Sequence, residues 1–211
     1  MRRPHADRQR RRALEGPTGT RRTPGPVVTT TNELDTTAVE GAAVVTMRER
    51  LLAVSHWLLQ AAEDVHAARA MWEDATSGIA LLRCGGIIGA VRIPARLVWA
   101  AFGTNELVEV DNRLSSWFYG GAVFMDLHSA LYYALVPGST YRRWDGAEFR
   151  DVACLGVDSY LGVPAPHLTE PRGRAYWCVS PDGPGELCDV AEVSQLLHRG
   201  RAALADAACD T

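Results

Sequence analysis

Residues Val152 to Val179 read VACLGVDSYLGVPAPHLTEPRGRAYWCV, and the rest of the chain is best interpreted outward from them. Ser159 to Val163 is a short apolar run with aromatic and β-branched members, a composition that suits a half-buried strand. Pro164-Ala165-Pro166 ends it, because proline offers no N–H to a ladder and holds its predecessor extended. Pro171-Arg172-Gly173-Arg174 is a turn signal. Ala175 to Val179 then resumes strand composition, so the stretch predicts a hairpin or an adjacent strand pair joined by a loop of about ten residues.

Upstream, Thr46 and Glu49 match the capping-box pattern of a helix start. Leu51, Val54, Leu58, Ala61, Val65, Ala68 and Trp72 follow at helical spacing, which predicts one amphipathic helix or two in succession to Trp72. His56 and His66 lie on it without a partner at metal-ligand spacing and read as solvated or interfacial. Ile79 to Leu82 and Ile87 to Val91 are apolar runs split by Cys84-Gly85-Gly86, a strand–turn–strand pattern. Pro94 suits a first helical turn, Ala95 to Phe102 continues it, and Gly103 is a C-terminal stop.

Asn105 to Asp111 is assigned to a short strand or turn. Trp117 to Leu127 and Ala130 to Val136 read as strands, with Pro137-Gly138 ending the second, and Tyr141 to Arg150 as a polar connection. Asp189 with Glu192 three residues later predicts a capped final helix carrying Val190, Val193, Leu196, Leu197 and Leu204 on its apolar stripe; Gly200 is its weak point. Strands segregated from helices imply an α+β domain over residues 46–211, with a single mixed β-sheet and flanking helices largely on one face.

Residues 1–45 are expected to form a disordered arm rich in Arg, Pro and Thr, with too few core residues to offset ordering entropy. All 22 basic residues are arginine. Residues 1–26 carry eight of them against Asp7 and Glu15, whereas the remainder carries 14 against 23 acids, so a basic tail precedes an acidic body. Arg8, Arg10, Arg11, Arg12, Arg21 and Arg22 are therefore candidate phosphate contacts for a nucleic-acid partner, an attraction that weakens steeply with salt. The competing reading of this segment is an extension without function. Arg142-Arg143-Trp144 is a further candidate, two cations beside a ring able to stack on a base; the competing reading is a solvated turn with one anchoring tryptophan.

Five cysteines at scattered spacings (Cys84, Cys154, Cys178, Cys188, Cys209) form no C-x-x-C pair and no zinc pattern. They read as reduced thiols of a cytoplasmic protein. No run approaches the roughly twenty apolar residues of a membrane span, and no apolar segment follows the N-terminal arginines as a secretory signal would require. Ser55-His56, His128-Ser129 and Asp126-Leu127-His128 are pieces of possible nucleophile–base pairs, but no G-x-S-x-G elbow accompanies them. Gly85-Gly86-Ile87-Ile88-Gly89 lacks the spacing of either glycine-rich phosphate loop.

One family resemblance emerges. CLGVDSYLGVPAPHLTEPRGRAYWCVSP followed by a terminal helix resembles the C-terminal part of short bifunctional DNA primase/polymerase-like proteins of GC-rich bacteria, in which a GxYVxxPPxxLxxGxVxWxxxP pattern precedes the last helix. Ser159-Tyr160-Leu161, Val163-Pro164, Leu168 and Trp177 fall in step with it. Trp72 to Phe102 resembles the family's tryptophan, its first strand, its acid-bearing strand and the helix that follows, and Ala130 to Tyr133 the next strand. The resemblance spans about residues 72–205 and implies a primase/polymerase-like sheet domain.

It also implies divalent metal held on carboxylates just before the family's equivalent of Pro94, because such cations neutralise the triphosphate and activate the attacking hydroxyl. Here that strand carries Gly89, Ala90 and Arg92, and residues 75–105 contain no Asp or Glu. A cation at Arg92 would repel the ion. The family's basic residue before the next strand is replaced by Ser129 or Ala130, and the N-terminal Cys/His cluster of many relatives is missing. No catalytic residue carries over, and no cofactor is expected. The expectation is thus a degenerate, non-catalytic member acting by binding, with nucleic acid as its partner and a regulatory or accessory role. Two alternatives stand beside it. One is a Mg²⁺- or Mn²⁺-dependent nucleotidyltransferase whose acids come from Asp111, Asp126 or Asp158; the other is a protein–protein adaptor.

Overall fold

The computed structural model describes residues 46–209. The helical pattern after Thr46 resolves into two helices, α1 (Met47–Leu59) and α2 (Val65–Glu73). Thr46 and Glu49 form the reciprocal capping box of α1, and Asp64 caps α2 by accepting from the N–H groups of His66 and Ala67 at 2.9 and 3.0 Å. Each cap satisfies donors that the first helical turn leaves without partners.

Two strands follow, β1 (Ile79–Arg83) and β2 (Ile88–Pro94), but they do not pair with each other. β1 pairs antiparallel with β6 (Tyr160–Pro164) as a two-stranded ribbon, Ile79 opposite Pro164 and Arg83 opposite Tyr160. β2 joins a five-stranded sheet of order β5-β2-β4-β3-β7, where β3 is Val123–Asp126, β4 Leu131–Pro137, β5 Ala153–Leu155 and β7 Ala175–Val179. Every pairing among the described residues is antiparallel. The domain is α+β as expected, while the single mixed sheet is corrected to two antiparallel ones.

Burial explains the division. β1 alternates, with Ala80 and Leu82 buried and Leu81 and Arg83 exposed, as an outer layer with one covered face must. In β2, Ile88 to Val91 are buried without alternation, because β2 lies in a middle layer covered on both sides. The same logic separates the two strands of the Val152–Val179 stretch. β6 belongs to the ribbon and β7, buried at all five positions, to the larger sheet, so the expected hairpin is instead a crossing between layers.

On one face of the five-stranded sheet lie α3 (Ala95–Phe102), α4 (Leu107–Trp117) and α5 (Val190–Cys209). On the other lie the ribbon, α1 and α2, packed against Ala90, Phe124, Leu135 and Trp177. Helices therefore cover both sides rather than largely one. Helix α3 ends at Gly103 in the left-handed region, φ 69°, as its sequence predicts.

Helix α4 replaces the strand or turn expected over Asn105–Asp111 and takes the first residue of the strand expected from Trp117. Val110 and Leu114, four apart, supply its buried stripe. Helix α5 runs through Gly200 without shortening. A Cβ there would stand 2.2 Å from the Leu97 carbonyl oxygen, so this glycine is the point where α5 lies directly on α3. Among the described residues no helix is long and apolar enough to cross a membrane.

Candidate functional site

The carboxylates that could serve metal chemistry do not meet. Asp111, on α4, accepts a hydrogen bond from the Tyr176 hydroxyl at 3.1 Å on the face of the sheet covered by α3, α4 and α5. Asp126 ends β3, where its Oδ1 accepts from the N–H groups of His128 and Ser129 at 2.9 and 3.2 Å and its Oδ2 from the Ser129 hydroxyl at 3.0 Å. That carboxylate closes the β3–β4 turn. Asp158 stands in the β5–β6 turn, 3.9 Å from Arg83. No group of three or more His, Cys, Asp or Glu side chains among the described residues is placed to hold a metal ion.

The candidate nucleophile–base pieces are likewise occupied or apart. The Ser55 hydroxyl donates to the Leu51 carbonyl at 2.7 Å within α1, and Ser129 and His128 belong to the turn that Asp126 caps.

A different arrangement occupies the ribbon-side face near the Pro94 end of β2. Arg92 is exposed there and stands directly opposite Tyr133 of β4, which is paired in turn with Phe124 of β3. The Tyr133 and Phe124 rings stack at 4.9 Å with 13° between their planes, and Phe124 meets Trp177 edge-on at 5.4 Å. An aromatic row thus crosses three strands and ends at half-buried Tyr133, beside a guanidinium. Burial and Asp126 push the Tyr133 hydroxyl above its ordinary range, while the charges of Arg92 and Arg174 act against them. Arg174 reaches this end of the sheet through its backbone, its carbonyl accepting from the Leu127 N–H at 2.9 Å just past Asp126.

Arg174 also lines a cleft of about 570 Å³ between α1, α2, the α2–β1 turn and the β6–β7 loop. Leu59, Trp72, Ala165 and Pro166 form its buried base, and Arg69, Arg172, His56 and His167 stand around it. Two indoles brace the end of β6, from which the lining loop departs. Trp72 Nε1 donates to the Val163 carbonyl at 2.9 Å and Trp177 Nε1 to the Pro164 carbonyl at 3.1 Å, satisfying acceptors where the ribbon ladder stops. The loop is pinned by Ala165 N–H to the Gly78 carbonyl and Trp177 N–H to the Leu168 carbonyl, at 2.9 and 2.7 Å.

Arg142 and Arg143 stand elsewhere. They follow the Pro137 end of β4, opposite Ile88, whereas Arg92 and Tyr133 stand toward the Leu131 end. Arg142 Nε donates to the Tyr141 hydroxyl at 3.1 Å and its guanidinium lies 5.7 Å from that ring. Trp144 is partly buried and packs at 5.9 Å on Phe149, so this trio is a turn with an anchoring tryptophan. Arg8, Arg10, Arg11, Arg12, Arg21 and Arg22 lie outside the described residues.

Sequence reasoning noted Arg92 only as the replacement of an acid. Its pairing with Tyr133 depends on register between strands about forty residues apart, and Arg69 carries no local signal at all. Compared with family models, curated proteins and solved structures, the chain matches none.

Proposed function

We propose that this protein is a degenerate, non-catalytic member of the primase/polymerase-like family its sequence resembles, and that it works by binding nucleic acid in an accessory or regulatory role. The observation that carries this reading is the row Arg92–Tyr133–Phe124, with Arg174 bonded through its backbone to Leu127 at the same end of the sheet. A guanidinium beside a half-exposed ring suits a phosphate and a neighbouring base, since base–aromatic stacking is sequence-tolerant and arginine contacts phosphate in two-pronged fashion. The separation of Asp111, Asp126 and Asp158 supports the non-catalytic half, because two-metal phosphoryl transfer needs cations about 4 Å apart on shared carboxylates. The arginines of residues 1–26 add a sequence-independent attraction to phosphates.

The test is a gel shift of the full chain on single-stranded DNA across a salt series. Binding should appear at low salt and fall steeply as salt rises. Removing residues 1–45 should lower the salt slope by about 0.7 for each phosphate that the arm had neutralised. Arg92→Ala with Tyr133→Ala should weaken what remains without unfolding the domain. No shift at low salt overturns the nucleic-acid reading, and template-directed nucleotide incorporation with Mg²⁺ or Mn²⁺ overturns the non-catalytic one.

A further inference from the structure

The α1/α2 cleft has the build of a small-molecule site, and its chemistry goes beyond a nucleic-acid surface. Clefts of roughly 300–1,000 Å³ with an apolar lining and a few placed polar groups are the usual form of ligand pockets, and this one measures about 570 Å³. Its base is Leu59, Trp72, Ala165 and Pro166, all buried, with Leu168 partly buried beside them. The tryptophan cannot turn its indole N–H into the cleft, because that donor is held by the Val163 carbonyl. The base therefore offers apolar surface to an occupant.

The polar groups of the lining sort themselves by what already occupies them. Asp74 accepts from the Thr76 N–H at 3.0 Å and from the Ser77 hydroxyl at 3.2 Å, bonds that hold its carboxyl below the usual range. Arg172 is paired with Glu170 at 3.1 Å. Arg69 on α2 and Arg174 at the end of the β6–β7 loop have no ion-pair partner among the described residues, and neither do the lining acids Glu73 and Asp74. Two unpaired guanidinium groups stand against two carboxylates, of which Asp74 is already occupied by neutral donors, so the lining is near charge balance and Arg69 and Arg174 are its open cationic donors.

We propose that this cleft binds a small amphiphilic organic anion. Its apolar body would lie on Trp72, Leu59 and Leu168, and its single acidic group would be held by Arg69 and Arg174 from opposite walls. His56 and His167 add donors or acceptors at the rim. Glu73 and Asp74 disfavour a second negative charge, which sets the class as monoanions rather than polyphosphates.

The proposal shares Arg174 with the nucleic-acid reading but does not rest on that reading, and it is tested without nucleic acid. The probes are anilinonaphthalenesulfonate and its uncharged parent amine, phenylnaphthylamine, titrated by fluorescence and calorimetry into the full chain under conditions where near-ultraviolet circular dichroism is native. The sulfonate should bind saturably at one site, and the amine at least about tenfold more weakly, the scale of losing charge-assisted hydrogen bonds. Arg69→Ala and Arg174→Ala, both at exposed positions, should each weaken the sulfonate and leave the amine unchanged. Arg150→Ala, outside the cleft, should alter neither. Equal affinity for the two dyes, non-saturable binding, or an unchanged sulfonate affinity in both folded cleft variants overturns the proposal. If a variant fails to fold, the comparison of the two dyes on the unaltered protein still decides.

Discussion

Asp111 is drawn against the sheet on the face away from the cleft, with Tyr176 and Cys178 as its neighbours. Burial raises its carboxyl above the ordinary value, and the hydrogen bonds from Cys178 and Tyr176 only partly offset this. Burial likewise pushes the Cys178 thiol well up, so neither neighbour supplies an anion or a cation near neutral pH. A carboxyl that holds its proton more tightly folded than unfolded favours the folded state at low pH. Its contribution is fully present below the unfolded value near 3.8 and is lost as pH rises through the higher folded one. Glu49, Asp64, Asp74, Glu109 and Asp151 are shifted downward and act in the opposite sense. The effect of Asp111 therefore has to be read as a difference. Urea midpoints of wild type minus Asp111→Asn should fall as pH is raised from 4 to 7; a flat difference would show that the site is more solvated than its neighbours imply.

At the scale of elements, helix propensity and packing give opposite answers for α5. Gly200→Ala in an exposed helix would stabilise by about 1 kcal/mol. Here the added methyl would stand 2.2 Å from a backbone carbonyl of α3, which cannot rotate away as a side chain could. The helices must separate, and overpacking of that kind costs about 1–3 kcal/mol. We expect Gly200→Ala to lower the unfolding free energy in urea, whereas a rise would mean that α5 does not lie on α3 as described. The glycine was visible in the sequence, but its role was not, since spacing along one helix says nothing about how near a second one comes. The limits of α3 and the end of β6 were legible because Pro94, Gly103 and Pro164 punctuate them, and β1, β2 and β7 were recognisable, β2 with its end three residues short, because their apolar runs are strong. Helix α4 was missed because its stripe of Val110 and Leu114 is sparse and lies among Glu109, Asp111 and Arg113. The pairing of strands was illegible throughout. A run such as Ile79–Leu82 is compatible with any neighbour, and only the contrast between alternating β1 and uniformly buried β2 hints at two layers.

Over the whole molecule, the candidate site was the least legible part. The cleft lining comes from α1, α2, the turn before β1 and the β6–β7 loop, segments whose proximity follows from the layering and from no local motif. What the layering brings together it also holds from both sides. The loop from Ala165 to Arg174 leaves a strand hydrogen-bonded to β1 and enters one hydrogen-bonded to β3, and α5 beyond it is packed against α3. Neither flank relies on the covalent link between them. The domain should accordingly tolerate being made in two pieces. With a site-specific protease sequence inserted between Arg172 and exposed Gly173, the cut chain should elute as one particle in size exclusion and separate only in denaturant. Dissociation on cleavage would mean that β7 and α5 are held by the connection and not by the strands and helices they lie between.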